Sequence, residues 1–137
     1  MLTKIDALTG QGLMRLWGVS DWLDPGAEYA LWGDCCVFAL VPQDGFLDIH
    51  MAMDKTRWRE CRDAGAAILA VVGHWKLRAI ILTDRPRVCN YAARMGFGER
   101  TTETLKTIDG LESAFFIMWR KPEVKDGRNN WRHWRRG

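Results

Sequence analysis

The sequence predicts an α+β domain: a mixed, mostly antiparallel sheet flanked by helices. Three observations carry this. Short strand-like runs cluster between residues 28 and 53 and again after residue 100. Two segments of helical period lie between the clusters, on either side of one β-branched run. No strand–helix unit repeats, as a doubly wound parallel sheet requires. The 137 residues, 47% of them hydrophobic, suffice for one core and leave no room for a second domain of ordinary size.

The elements follow in order. Residues 3 to about 24 read as one or two helical pieces, with Leu13, Leu16 and Trp17 at helical spacing. Gly10-Gln11-Gly12 and Asp24-Pro25-Gly26 should break or end them. Tyr29 to Trp32 and Cys35 to Val41 read as short strands around a Gly33-Asp34 turn. Phe46 to Met53 follows as a third antiparallel strand, after the turn Pro42-Gln43-Asp44-Gly45. Its alternation puts Asp48, His50 and Ala52 on one face and Ile49, Met51 and Met53 on the other.

Trp58, Cys61, Gly65, Ile68, Val72 and Trp75 recur at intervals of three and four, which predicts one long helix. Leu77 to Thr83 has the apolar, β-branched character of a buried strand. Asp84 is then the expected N-cap of a helix over Arg85 to Met95, ended by Gly96. Asp109-Gly110, between Thr101–Thr107 and Leu111–Trp119, signals a hairpin. Residues 1–122 form the expected domain, and 123–137 an extension.

Charge is unevenly placed. From Arg120 onward the chain has seven basic and two acidic residues, whereas the preceding 119 have 13 and 15. The body is near neutral, which weakens any reading of the whole domain as a nucleic-acid binder. No apolar run approaches the roughly 20 residues of a membrane span. The opening segment lacks the order of a signal peptide. Cys35, Cys36, Cys61 and Cys89 form no CxxC and no Cys/His set, so core thiols in a reducing cytoplasm are expected and zinc is not. Ser20 and Ser113 lie in no nucleophile elbow, and no Walker or Rossmann motif is present.

Between Ala27 and Lys121 the element order resembles the GNAT superfamily of N-acetyltransferases. Ala92-Ala93-Arg94-Met95-Gly96-Phe97 is similar to that family's helix followed by Gly-Phe. Leu47-Asp48-Ile49-His50-Met51-Ala52-Met53, leading into Asp54-Lys55-Thr56-Arg57-Trp58-Arg59-Glu60-Cys61-Arg62, resembles small divergent GNAT-like proteins of tailed bacteriophages. The resemblance implies acetyl-CoA lying where the fourth and fifth strands part, with no metal, and an amine acceptor. It also implies a pyrophosphate loop of pattern [QR]-x-x-G-x-[GA] before the long helix. Helix N-termini offer unpaired N–H groups to such anions.

Two registers for that loop remain open. Arg62-Asp63-Ala64-Gly65-Ala66-Ala67 matches literally, whereas Arg57 to Arg62 suits a helix beginning at Trp58 but has no glycine. Arginine side chains are then the available phosphate ligands. The candidate cofactor residues are thus Met51 and Met53 on the strand, with Arg57, Arg59, Arg62 and Gly65 beyond it. Asp48 or His50 is the candidate base. Tyr91, one residue from the position that the resemblance assigns to the proton donor, is the candidate acid.

In the extension, Trp131, Arg132, Trp134, Arg135 and Arg136 interleave indoles with guanidinium groups. That pattern suits a protein partner, a nucleic acid or simple folding back onto the domain. Two functions follow: an acetyl-CoA-dependent N-acyltransferase of a bacterial host's cytoplasm, or an inactive phage scaffold acting as a virion or interaction component through this tail.

Overall fold

Seven strands form one sheet in the order β1-β2-β3-β4-β5-β7-β6. They are β1 (Leu2–Ile5), β2 (Glu28–Trp32), β3 (Cys36–Pro42), β4 (Leu47–Met53), β5 (Leu77–Leu82), β6 (Gly98–Lys106) and β7 (Glu112–Arg120). The helices are α1 (Ala7–Trp17), α2 (Cys61–Val72) and α3 (Pro86–Arg94). The computed structural model describes residues 1–106 and 110–123. Asp109 of the anticipated turn, and the tail residues Trp131, Arg132, Trp134, Arg135 and Arg136, lie outside the described residues. The α+β class and the mostly antiparallel sheet are as the sequence predicts. β4–β5 is the parallel neighbour pair.

The start of the chain differs from expectation. Leu2–Ile5 is a strand paired with β2, from Leu2 opposite Trp32 to Ile5 opposite Tyr29. Helix α1 then runs straight through Gly10-Gln11-Gly12. Gly10 is a packing glycine rather than a breaker, since a Cβ there would lie 2.2 Å from Cγ of Tyr29. Asp6 caps the helix, its carboxylate accepting from the Thr9 N–H at 2.8 Å.

The anticipated long helix is divided. Lys55–Glu60 forms a 3-10 segment with a non-helical Arg57, and α2 begins only at Cys61. The apolar stripe persists across the junction because Trp58 still packs on the same core as Ile68 and Val72. At α3 the N-cap is Arg85, without a side-chain cap bond, so Asp84 does not fill that role; Pro86 occupies the first turn. Gly96 takes φ +96°, a conformation that suits glycine after a helix.

The sheet has a core on each face. Phe38, Leu40, Leu47, Met53 and Leu77 pack with Ile68 and Val72 of α2. On the other face Tyr29, Val37, Ala39 and Ala52 pack beneath Met14 of α1 and Trp22. Buried Arg120 ties the end of β7 to both neighbouring helix ends. Its guanidinium donates to the carbonyls of Met95 (2.8 Å) and Gly73 (3.3 Å) and pairs with Glu123. Strand β6 is an exposed edge with a register shift between Gly98 and Thr101.

Candidate active site

The site originates in a short pairing. β4 meets β5 only at Leu47–Leu77, Asp48–Arg78 and Ile49–Ala79. From His50 to Met53, β4 keeps β3 on one side, but among the described residues no strand pairs with its other edge. β5 meanwhile follows β7 throughout its length. The two strands therefore part beyond Ile49, leaving backbone polar groups along an open edge. A cavity of about 450 Å³ occupies this region. Gly65, Ile68, Tyr91 and Met95 line one side, and Trp22 and Leu23 line the other.

The two candidate bases on β4 have different environments. Asp48 is 3% exposed. Its Oδ1 accepts from Arg78 Nε at 2.5 Å and its Oδ2 from Arg78 Nη2 at 2.7 Å, with Gln43 Nε2 also donating to Oδ2 at 3.0 Å. Such a bidentate, charge-assisted pair occupies the carboxylate. The Arg78 guanidinium lies over the Phe46 ring, 4.9 Å from its centroid.

His50 lines the cavity, and its ring nitrogens have no hydrogen-bond partner among the described residues. Trp22 meets the imidazole edge-on, with centroids 5.1 Å apart. Burial lowers the His50 pKa to about 4, with nearby Arg78 acting in the same direction and Asp48 opposing. The imidazole is therefore neutral at physiological pH, with a lone pair available inside the cavity.

Across the gap, the Tyr91 hydroxyl donates to the Cys61 carbonyl at 2.8 Å. Burial raises its pKa above the ordinary phenol range, so it retains its proton. Ala92, the position reached by counting back from Gly96-Phe97, lines the same cavity. Gly65 packs against the tyrosine. A Cβ at Gly65 would lie 2.4 Å from Tyr91 Oη and 2.6 Å from Met95 Sδ. Gly65→Ala is expected to displace Tyr91 and destabilise the fold by about 1–3 kcal/mol, measurable by urea unfolding.

The region expected to meet pyrophosphate is built differently from a glycine loop. The literal register, Arg62 to Ala67, lies inside α2. The other register is the 3-10 segment and the first turn, where the Cys61 N–H is already bonded to the Trp58 carbonyl at the junction. Arg57 is committed within the chain, pairing with Glu60 and with Asp34 Oδ1 at 2.8 Å. Those two carboxylates hold its pKa above the ordinary guanidinium value. Arg59 and Arg62 are exposed, without a partner among the described residues. Met51, half-buried, lines the cavity, while Met53 is part of the core on the α2 side.

The pairing of Asp48 with Arg78 was not foreseeable locally. The partners lie 30 residues apart and meet only through the parallel register of β4 and β5. Trp22 stands in the segment between α1 and β2. Its place beside His50 depends on the loop after α1, which has no periodicity. The four cysteines are free thiols, and among the described residues no three His, Cys, Asp or Glu side chains converge to hold a metal. No described helix is long and apolar enough to cross a membrane.

No family model and no curated protein matches the chain. Solved structures do. An acetyltransferase of the GNAT family from Streptococcus pneumoniae aligns with TM-score 0.61 at 9% identity, over 90% of this chain and 99% of its own. A spermidine N-acetyltransferase chimera of Vibrio cholerae SpeG and hSSAT aligns with TM-score 0.62 at 10% identity, over 88% and 96%. The ribosomal-protein-S18-alanine N-acetyltransferase of Escherichia coli aligns with TM-score 0.59 at 10% identity, over 93% and 97%. The mixed, mostly antiparallel sheet and flanking helices of this chain are the GNAT fold.

Proposed function

We propose that the chain is an N-acyltransferase that moves an acetyl group from acetyl-CoA to an amine. The observation that carries this reading is the neutral, unpartnered imidazole of His50 inside the cavity where β4 leaves β5. Asp48 has the wrong surroundings for a base, being held on both oxygens.

The residues fit the thioester end of the donor. An unpaired β4 edge suits the amide-bearing pantetheine arm, and Met51 and Ile68 wall the slot with apolar surface. Diphosphate finds no glycine cradle, so Arg59 and Arg62 would hold it through their side chains. The thioester supplies an activated acyl carbon. His50 takes the proton that the attacking amine releases as its nitrogen bonds to that carbon. Free β4 N–H groups steady charge developing on the carbonyl oxygen. Tyr91 keeps its phenolic proton, donated here to the Cys61 carbonyl, and would turn it toward the departing sulfur.

Calorimetric titration with acetyl-CoA, and with desulfo-CoA as a non-reacting control, tests the reading. Binding of both is expected; no heat at millimolar ligand overturns it. In the double variant Arg59→Ala/Arg62→Ala, KM for acetyl-CoA should rise about tenfold or more with kcat little changed, and its salt dependence should weaken.

A second reading is supported by the internally neutralised Arg57–Glu60–Asp34 cluster at the loop. On that reading the chain is a GNAT-fold scaffold without turnover, such as the phage interaction component implied by the sequence resemblance. The same titration separates the two.

A further inference from the structure

We propose that the acceptor is a monoamine carried on an aromatic or branched apolar group, seated on the α1 face of the sheet against Trp22, Ile80, Leu82, Leu105 and Phe115. The inference rests on the transferase reading and adds a substrate class to it. Helix α1 packs chiefly over β2, β3 and β4 rather than over β5, β7 and β6. On those strands Leu82 lies opposite Phe115, and Leu105 opposite Ser113. Directly opposed residues share a sheet face. Arg78, which reaches Asp48 and alternates with Ile80 and Leu82, identifies the face as that of His50.

The cavity extends from His50 across these side chains, all of them only half-buried except Trp22. Trp22 is fixed as a wall. Its Nε1 donates to Tyr29 Oη at 3.0 Å, and that hydroxyl donates to Asp24 Oδ1 at 2.8 Å.

The apolar walls weigh against a polyamine. Two carboxylates line the cavity, Asp21 and Asp48, and both oxygens of Asp48 are already occupied. Arg85 lines it as well; Lys106 follows Leu105 on the other face of β6, whereas Glu103, opposite Phe115, shares the α1 face. A polycation would find Asp21 and Glu103 set against Arg85, but ammonium groups between those points would lie against apolar walls. A single amine on an apolar body places its nitrogen at His50 and buries the rest. The surroundings that keep His50 unprotonated likewise favour a neutral amine over an ammonium.

The test compares 2-phenylethylamine with spermidine, using acetyl-CoA as donor and detecting acetylated amine by mass spectrometry. A kcat/KM ratio favouring 2-phenylethylamine by about tenfold or more is expected. Leu105→Glu, on a half-buried edge-strand position, adds a carboxylate and should move the ratio toward spermidine by about tenfold. Spermidine preference in the parent protein, or a ratio unmoved by L105E, overturns the proposal. Calorimetry with 2-phenylethylamine alone separates its failure from that of the transferase reading. Binding without acetyl transfer sustains the acceptor class and sinks transfer. Acetylated spermidine without 2-phenylethylamine binding sinks the acceptor class and sustains transfer.

Discussion

His50→Gln should lower kcat by about a hundred- to ten-thousand-fold, the range associated with a positioned general base, while KM for acetyl-CoA stays nearly constant. Glutamine approximates the length and polarity of histidine but does not titrate in this range. Steady-state kinetics on the purified variant would check this, and a loss within about threefold would assign His50 to lining alone. The pH dependence is a second readout. With the folded pKa lowered from 6.5 to about 4, protonation of His50 should not inhibit between pH 7 and pH 5, once the neutral fraction of the amine is accounted for.

The same shift acts on stability. Below pH 6.5 the unfolded histidine binds a proton that the folded one refuses until about pH 4. Folding stability attributable to this residue is therefore lost as pH falls through that window. His50→Gln removes that slope, so parent and variant unfolding curves compared at pH 7 and pH 5 should show the smaller pH-dependent loss in the variant.

Asp48→Asn should be the most destabilising of the site substitutions. It leaves the Arg78 guanidinium without its carboxylate at a position only partly open to water. The side-chain exposures are 5% for Asp48 and 24% for Arg78. Breaking a fully buried pair costs about 3–5 kcal/mol, and solvent access to Arg78 reduces the expected loss to about 2–3 kcal/mol. Urea unfolding would register this as a lower midpoint with an unchanged slope. Replacing both partners, in Asp48→Asn/Arg78→Met, should recover part of the loss because no unpaired charge remains. Full destabilisation in the double variant would mean that the pair contributes specific geometry beyond neutralisation.

These two substitutions mark what could be read from the sequence. Alternation placed Asp48 and His50 on one face of β4, and the structure agrees, but nothing local distinguished a paired carboxylate from an unpartnered imidazole. That distinction came from Arg78, a residue of the next strand, and from Trp22, held by a loop. Strands β2 to β5, helix α3 and the final hairpin were legible because each has a clean period or a turn residue. β1 was not. Leu2 and Ile5 stand three apart, as on a helix, and only pairing with β2 makes Leu2–Ile5 a strand. The division between the 3-10 segment and α2 was hidden for a related reason: an apolar stripe records which face is buried, and both helix types can bury Trp58 and Ile68 together.

The outer rims of the sheet affect how the molecule avoids its own kind. An open strand edge is a template on which a foreign strand can assemble. One rim, β1, is only four residues long and includes Lys4. The other, β6, is nine residues long but carries Glu99, Arg100, Glu103 and Lys106. Its irregularity near Gly98, with Glu99 at φ +57°, disrupts the regular ladder that an incoming strand would need. Brevity at one rim and charge with distortion at the other discourage edge-to-edge growth into fibres, allowing the sheet to keep its interior parting without inviting a neighbour to fill its edges.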